Sequence, residues 1–208
     1  MATKGRLIAF ESASKCGKTT LAKLLADKLA ANNPGDKIAS ERCALSHSAF
    51  AKKVAVENIC DVAYSSSFYW ADIVFHTADV IIPIVTGGGA VVQDRYDLSI
   101  VAYREIHGLS KDHILLDEYL KRGMIIHPDL TVYLEPEPEI AFERIRSSQN
   151  SSPIDMQFLQ NPSMFLLMQE RIRNHIMRLG RNCLALDTGA YGQEECLTQI
   201  LKRLETLK

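Results

Sequence analysis

A short segment near the N-terminus carries the residues best suited to chemistry. Residues 10–20 read FESASKCGKTT and directly follow an apolar run. Small residues ahead of a Gly-Lys-Thr triplet let backbone N–H groups point inward and cradle phosphate oxygens. In this arrangement Lys18 reaches the β- and γ-phosphates of ATP, and the Thr19 hydroxyl ligates Mg²⁺. The candidate ATP-binding loop consists of Ser12, Ala13, Ser14, Lys15, Cys16, Gly17, Lys18, Thr19 and Thr20.

One position departs from the usual pattern G-x-x-x-x-G-K-[ST]. Ser12 stands where the first glycine is expected. Serine is small, and the backbone of such a loop does most of the binding, so we still predict phosphate binding. The alternative is an ordinary strand–turn–helix in which Lys18 and Thr19 are merely solvated.

A second group of polar residues follows another apolar run. Residues 90–93 read AVVQ, and Asp94-Arg95-Tyr96 comes next. Open α/β sheets bind ligands at the carboxyl ends of their strands. A carboxylate there can orient magnesium-bound water or an acceptor hydroxyl, and Arg95 can grip an acceptor phosphate with two hydrogen bonds. The alternative is a buried Asp–Arg ion pair at the end of a strand.

Strands and helices alternate along the chain, and this order positions both groups. The predicted strands cover residues 7–10, 37–39, 90–93, 130–134 and 182–187. The predicted helices cover residues 17–31, 48–86, 98–106, 112–123, 137–147 and 163–179, with a last helix from about 193. Strands separated by helices predict a parallel sheet covered on both faces. Residues 147–162 are polar and contain two prolines, so we predict a mobile loop there.

Composition excludes several classes of protein. The chain has 208 residues and a net charge of -1, which predicts one domain over 1–208 and no nucleic-acid partner. Its five cysteines form no C-x-x-C pair, which is typical of reduced cytoplasmic thiols. The longest apolar stretch, residues 80–85, is interrupted by Pro83. We therefore expect a cytoplasmic protein with no membrane-spanning helix.

Several blocks, in this order, resemble the thymidylate kinase family. They are GRLIAFESASKCGKTTLAKLLADKL, AVVQDRYDLSIVAY, PDLTVYLEPEPEIAFERI, MFLLMQERIRNHI and LALDTGAYGQEEC. The resemblance implies a three-layer P-loop fold with a five-stranded parallel sheet, and a lid segment near 147–162. It also implies ATP-dependent phosphoryl transfer to a nucleoside monophosphate, best dTMP to dTDP, with ATP and Mg²⁺ as cofactors and a possible homodimer.

The resemblance also assigns roles to residues. The implied acceptor-site residues are Glu11, Arg42, Trp70, Asp94, Arg95, Tyr103 and Arg104. Thr19 and Asp94 are the implied magnesium ligands, and Arg144 is implied beside ATP. Tyr103 falls where the family places an aromatic ring near the sugar, although simple helix packing is an equal alternative. The candidate catalytic residues are Lys15, Lys18, Asp94 and Arg95.

The chain departs from the family pattern mainly on the acceptor side. Ile73 stands where the family has an arginine that holds the base, and Arg104 stands where a glutamine is frequent. Met156 replaces the arginine of an Asp-Arg pair in the lid. We expect Lys15 to supply the missing cation. A nucleoside or other small-molecule kinase, or a catalytically weak nucleotide-binding protein, therefore stays open as an alternative.

Overall fold

The computed structural model describes residues 5–42 and 62–207, which form alternating strands and helices. The strands are β1 Arg6–Glu11, β2 Ile38–Arg42, β3 Ala90–Asp94, β4 Leu130–Leu134 and β5 Cys183–Leu186. The helices are α1 Lys18–Asn32, α2 Val62–His76, α3 Ile82–Thr86, α4 Asp97–Ile106, α5 Asp112–Lys121, α6 Pro138–Arg146, α7 Pro153–Gln160, α8 Pro162–Arg178 and α9 Gln193–Glu205. A π-helical turn, Thr77–Ile81, joins α2 to α3.

The five strands form one parallel sheet in the order β2-β3-β1-β4-β5. All five residues of β4 are buried, as expected for a central strand with helices on both faces. The predicted five-stranded parallel sheet is therefore confirmed. The register pairs Phe10 with Asp94, so the loop after β1 and the residues after β3 emerge at the same edge.

The core explains why β1 and α1 hold the candidate loop firmly. Leu7, Ile8 and Phe10 in β1 have no exposed surface. Helix α1 buries Leu21 and Leu25, which are one helical turn apart and face the sheet. The loop between these two elements is thus anchored in the core at both ends.

The described part of the predicted helix over 48–86 is helical, and its only irregularity among the described residues is the π-helical turn Thr77–Ile81. Residues 48–61 lie outside the described residues, and the remainder is helical through Pro83 without a break. Pro83 sits in the first turn of α3, directly after the π-helical turn Thr77–Ile81.

Because the helix continues through Pro83, one segment is longer than the apolar run in the sequence suggested. Ser67–Thr86 is long and apolar enough to cross a membrane by length and composition, with a hydropathy of 1.4. The expectation of no membrane-spanning helix was argued from the interruption at Pro83, which does not break this helix, so that expectation stays a prediction. Such a helix is weak evidence for a membrane span, because a core helix passes the same test. Here the helix buries Trp70, Ile73 and Ile81 against the rest of the chain.

The expected loop over 147–162 contains the helix α7. A capping box starts it: the Ser152 hydroxyl accepts from the Asp155 N–H, and the Asp155 carboxylate accepts from the Ser152 N–H. Phe158 then packs edge-on against Phe165 of α8, with 5.4 Å between ring centres. The polar composition of the segment concealed this helix, since its stability comes from one cap and one buried ring.

Candidate active site

A cavity of about 550 Å³ opens at the carboxyl edge of the sheet. It brings together most residues of the predicted ATP loop and the two residues Asp94 and Arg95 at the end of β3. The predicted site residues that line it are Ser14, Lys15, Gly17, Lys18, Thr19, Thr20, Asp94, Arg95 and Arg144. Its far wall comes from the segment before α7 and from the start of α9. Such a cavity is large enough for a nucleotide.

The loop between β1 and α1 has the backbone shape of a phosphate cradle. Lys15 and Gly17 both have positive φ, 57° and 95°, so the loop contains two left-handed residues directly before α1. Gly17 is the N-cap of α1. The unpaired N–H groups at the start of that helix therefore face the cavity and favour an anion.

Lys18 is buried at the floor of this loop. Its Nζ donates to Ser12 Oγ at 2.8 Å and to the Ala13 carbonyl. Burial, aided by the nearby Arg95 guanidinium, lowers the pKa of Lys18 to about 7. A bound phosphate would offset that desolvation and favour the charged ammonium. The serine that replaces the first motif glycine thus takes part in holding the lysine.

Thr19 and Asp94 form the candidate magnesium site. Thr19 Oγ1 donates to Asp94 Oδ2 at 2.6 Å. The other carboxylate oxygen, Asp94 Oδ1, is buried and has no hydrogen-bond partner among the described residues. Mg²⁺ prefers such hard oxygen donors and completes its shell with phosphate oxygens and water. Two protein oxygens beside a phosphate cradle therefore fit this ion.

Arg95 lies over the same loop. Its Nη1 donates to the Ser12 carbonyl at 3.0 Å, and its backbone has a φ of 66°. The guanidinium is only partly buried, so some of its donors remain available to a ligand in the cavity. This position is compatible with contact to a phosphate at the cavity mouth.

Lys15 and Arg144, which also line the cavity, are held by contacts within the chain. Lys15 Nζ donates to Ser148 Oγ at 2.8 Å and to the Asn150 carbonyl at 3.0 Å. Arg144 donates from Nη2 to the Thr188 carbonyl at 2.6 Å. Lys15 therefore links the phosphate loop to the segment before α7, and Arg144 links α6 to the loop after β5.

Three residues of the predicted ATP loop lie beneath it and do not line the cavity. Ser12, Ala13 and Cys16 are buried, and the Cys16 thiol donates to the Ser14 carbonyl at 3.3 Å. Burial raises the pKa of Cys16. The thiol of Cys16 therefore packs inside the protein. Of these three residues, only the backbone is left to contact ATP.

Glu11 does not reach the cavity, although the resemblance implied an acceptor contact. It is 0% exposed, and its carboxylate accepts N–H groups from Tyr96, Leu98 and Ser99. Burial and the neighbouring Asp97 carboxylate raise the pKa of Glu11 to about 7. In this conformation its oxygens organise the turn after β3 and have no exposed surface for a substrate.

Trp70 and Arg104, which were both expected at the acceptor, are joined through Asp112. Trp70 is 2% exposed, and its Nε1 donates to Asp112 Oδ2 at 3.2 Å. Arg104 forms an ion pair with the same carboxylate and donates to Ser67 Oγ at 3.1 Å. These contacts tie α2, α4 and α5 together, so neither side chain presents an open face in this conformation.

The remaining predicted acceptor residues occupy different surroundings. Tyr103 is half-buried and stacks at a tilt on His107, with 4.5 Å between ring centres. Burial and nearby Tyr69 raise the pKa of Tyr103, so its hydroxyl stays protonated. Arg42 ends β2 opposite Asp94, at the correct edge of the sheet. The substrate roles of Tyr103 and Arg42 stay predictions.

Sequence reasoning missed two residues that shape the loop. Gln169 of α8 accepts the Ala13 N–H through Oε1 at 3.1 Å. Thr188 donates through Oγ1 to the Cys16 carbonyl at 2.9 Å. The sequence pointed to Gln169 only as a polar residue on the apolar face of α8. Nothing in the sequence pointed to Thr188.

Comparison with known proteins places the chain among nucleotide kinases. A family model described as thymidylate kinase matches residues 10–189. A probable thymidylate kinase from Archaeoglobus fulgidus is 33% identical over 150 residues, which is 72% of this chain and 74% of that protein. A thymidylate kinase from Clostridium novyi is 28% identical over 191 residues, covering 86% of this chain and 92% of that protein.

Two solved structures share the fold. A thymidylate kinase from Ehrlichia chaffeensis has a TM-score of 0.70 at 18% identity, covering 96% of this chain and 98% of that one. A deoxyadenosine kinase from M. mycoides has a TM-score of 0.69 at 11% identity, covering 97% of this chain and 100% of that one. At such low identity, these likenesses show the fold alone.

Proposed function

Because this chain belongs to the thymidylate kinase family, we propose that it transfers the γ-phosphoryl group of ATP to a nucleoside monophosphate. The best-supported reaction is dTMP to dTDP. One observation carries the proposal: Lys18, Thr19, Asp94 and Arg95 line the same cavity. A phosphate cradle, a metal-binding pair and a second phosphate-binding cation are the parts that such a transfer requires.

The loop side of the cavity would hold ATP. Backbone N–H groups at the start of α1 and the Lys18 ammonium would bind the β- and γ-phosphates. Thr19 Oγ1 and Asp94 Oδ1 would hold Mg²⁺, which when bound neutralises charge on the phosphates. The residues themselves orient the phosphates and keep the γ-phosphoryl group at the mouth of the cavity.

Arg95 would bind the phosphate of the acceptor. Its guanidinium lies against the Ser12 carbonyl, beside the loop that would hold the γ-phosphate. Two phosphates brought this close repel one another, and a guanidinium between them lowers that repulsion. The acceptor oxygen is already ionised at neutral pH, so positioning matters more than proton removal.

A panel of acceptors tests the proposal. ADP release is measured with purified protein, ATP and Mg²⁺ against dTMP, dUMP, other monophosphates and the matching nucleosides. We expect the highest kcat/KM with dTMP and little turnover of nucleosides. Preference for an unphosphorylated nucleoside would overturn the monophosphate assignment. ADP release no faster than without acceptor would favour a nucleotide-binding protein with weak activity.

A nucleoside kinase is the second candidate, and one feature favours it. Ile73 is apolar and buried at the position where the family has a base-binding arginine. Arg104 is already paired with Asp112 and does not replace that charge. The same panel separates the two candidates, since they differ only in the phosphate on the acceptor.

Lys15 is expected to act as a catalytic cation. Lys15→Met should lower kcat about 10-fold with little change in the KM for ATP, because charge on the transferring oxygens grows toward the transition state. Lys15→Arg should keep or raise kcat. Steady-state kinetics with saturating acceptor measures both.

The contacts of Lys15 supply the control for that experiment. Ser148→Ala removes the hydroxyl that Lys15 contacts at 2.8 Å and leaves the cation in place. If Ser148→Ala reproduces the loss seen in Lys15→Met, Lys15 is a tether for the lid segment and not a catalytic cation. The same conclusion follows if Lys15→Met is fully active while Arg144→Ala or Arg146→Ala is inactive.

A homodimer and a cytoplasmic location stay predictions. Helix α2 and the turn after it leave Ala71, Phe75 and Ala78 exposed, with Phe75 59% exposed. These residues recur at helical spacing and offer an apolar stripe that a second copy would cover. Sedimentation at assay concentration tests the dimer, and a monomer at all concentrations would exclude it.

A further inference from the structure

Arg95 has an unusual main-chain conformation for an arginine. Its φ of 66° lies in the left-handed region, which residues other than glycine keep only when their surroundings hold them there. With this backbone, Nη1 donates to the Ser12 carbonyl at 3.0 Å. The conformation of this one residue therefore decides where its positive charge lies relative to the phosphate loop.

Hydrogen bonds hold the peptide units on both sides of Arg95. The Arg95 N–H donates to the Phe10 carbonyl at 3.0 Å, which continues the pairing of β3 with β1. The Arg95 carbonyl accepts from Gln93 Nε2 at 3.1 Å. Gln93 is 0% exposed, so its side chain, shielded from water, fixes the second peptide unit.

Gln93 is oriented in turn by His76. Gln93 Oε1 lies 3.1 Å from His76 Nε2, and His76 is 4% exposed. Since the Gln93 amide nitrogen faces the Arg95 carbonyl, its oxygen faces the imidazole, and His76 Nε2 must carry the proton and donate. With this tautomer, the imidazole N–H holds the Gln93 oxygen and keeps the amide nitrogen facing Arg95.

His76 also lies at an irregular point of its helix. His76 ends α2 and immediately precedes the π-helical turn at Thr77–Ile81, and such turns within helices often mark functional positions. The next residue, Thr77, has its Oγ1 3.2 Å from the hydroxyl oxygen of Tyr96. Two adjacent residues at this turn, His76 and Thr77, therefore contact Gln93 and Tyr96, which flank the Asp94-Arg95 pair.

We propose that His76 and Gln93 are positioning residues for phosphoryl transfer. They hold Arg95 in its left-handed conformation and so direct its guanidinium toward the acceptor phosphate. Neither residue lines the cavity, so they act through Arg95. The inference rests on the proposed function, in which Arg95 binds that phosphate.

Kinetics of single and double variants test the inference. His76→Phe is expected to lower kcat/KM for the acceptor about 10- to 100-fold with the KM for ATP unchanged, because small misplacements of a positioned group have effects of this size. His76→Gln supplies an amide N–H at a similar place and should restore most of the loss. In an Arg95→Ala background, His76→Phe should add nothing, since both changes act through one contact.

A matched control separates positioning from general loss of packing. His175 is 5% exposed, and its Nε2 also lies in hydrogen-bond contact with a polar side chain, 3.0 Å from Glu105 Oε2. His175→Phe should leave the acceptor kinetics unchanged. Equal losses of acceptor kcat/KM in His76→Phe and His175→Phe would overturn the inference. It would also be overturned if the loss in the double variant of His76→Phe and Arg95→Ala equalled the sum of the two single losses in free energy. If His76→Phe fails to fold, Gln93→Met takes its place with the same expectation.

A crystal structure of His76→Phe gives a readout that does not depend on activity. We expect Arg95 to leave its positive φ and to lose the contact with the Ser12 carbonyl. Retention of both would show that His76 does not position Arg95, whatever the kinetics. Unchanged acceptor kinetics in Arg95→Ala alone would instead contradict the proposed acceptor contact, which keeps the two failures distinguishable.

Discussion

Replacing Lys18 with alanine is expected to lower kcat by ~10²-fold or more, the usual effect of removing a positioned charge from developing negative charge. Lys18 Nζ is held at the floor of the loop by Ser12 Oγ and the Ala13 carbonyl, directly below the cavity. Coupled detection of ADP measures kcat, and circular dichroism confirms that the variant is folded. Lys23→Ala, an exposed position on the same helix, is the matched control and should be fully active. Near-normal turnover by folded Lys18→Ala would exclude the proposed ATP site.

The ionisation of Lys18 gives a second measurement of the same contact. Its pKa of about 7 means that the amine is mostly neutral at pH 8 and mostly charged at pH 6 when no phosphate is bound. Phosphate binding favours the ammonium, so binding of ATP should take up roughly one proton at pH 8 and much less at pH 6. Calorimetry in two buffers of different ionisation enthalpy measures this uptake. The uptake at pH 8 should disappear in Lys18→Ala.

Replacing Asp94 with asparagine is expected to lower kcat about 10²-fold and to raise the Mg²⁺ concentration needed for half-maximal activity. The amide oxygen can still accept from Thr19 Oγ1, which contacts the carboxylate at 2.6 Å. Packing is therefore kept while the negative charge is lost. Asp94 Oδ1, which has no hydrogen-bond partner within residues 5–42 and 62–207, is the oxygen that the neutral amide nitrogen of asparagine replaces. Titration of activity with Mg²⁺ measures the effect.

Asp129 provides the matched control at the other end of the sheet. Its Oδ2 accepts the Leu7 N–H at 2.8 Å, at the start of β1 and away from the cavity. Asp129→Asn should lower Tm without changing kcat or the Mg²⁺ dependence. A normal Mg²⁺ requirement in Asp94→Asn would show that Asp94 is not a magnesium ligand. An equal loss of kcat in Asp129→Asn would show that both substitutions act through stability.

Local sequence patterns were sufficient to predict the phosphate loop and the parallel sheet. The order of small residues before Gly17-Lys18-Thr19 depends on neighbours in sequence, and the structure places this segment between β1 and α1 at the carboxyl edge. Alternation of strands and helices likewise predicted the parallel sheet. These features could be read from the sequence because each one depends on contiguous residues.

The partners of buried polar groups could not be read in the same way. Glu11 accepts N–H groups from residues more than 80 positions away in the chain, and Arg104 pairs with Asp112 across a helix junction. Both were expected at the substrate, and both are engaged inside the protein. Burial makes an unpaired charge costly, so the fold decides which partner each charge takes.

The sequence by itself determined the parallel α/β sheet and the phosphate loop, because the alternation of strands and helices and a contiguous motif specify them. It also placed Asp94 at the end of a strand, while the pairing of β1 with β3 that brings Asp94 beside the loop comes from the structure. Only the tertiary structure decided how the cations are distributed: Lys15 contacts the segment before α7, and Arg144 contacts the loop after β5. It also decided that Arg95 is held through Gln93 and His76. The physical reason is that a long charged side chain can reach many partners, and the packing of distant elements leaves it one set of acceptors.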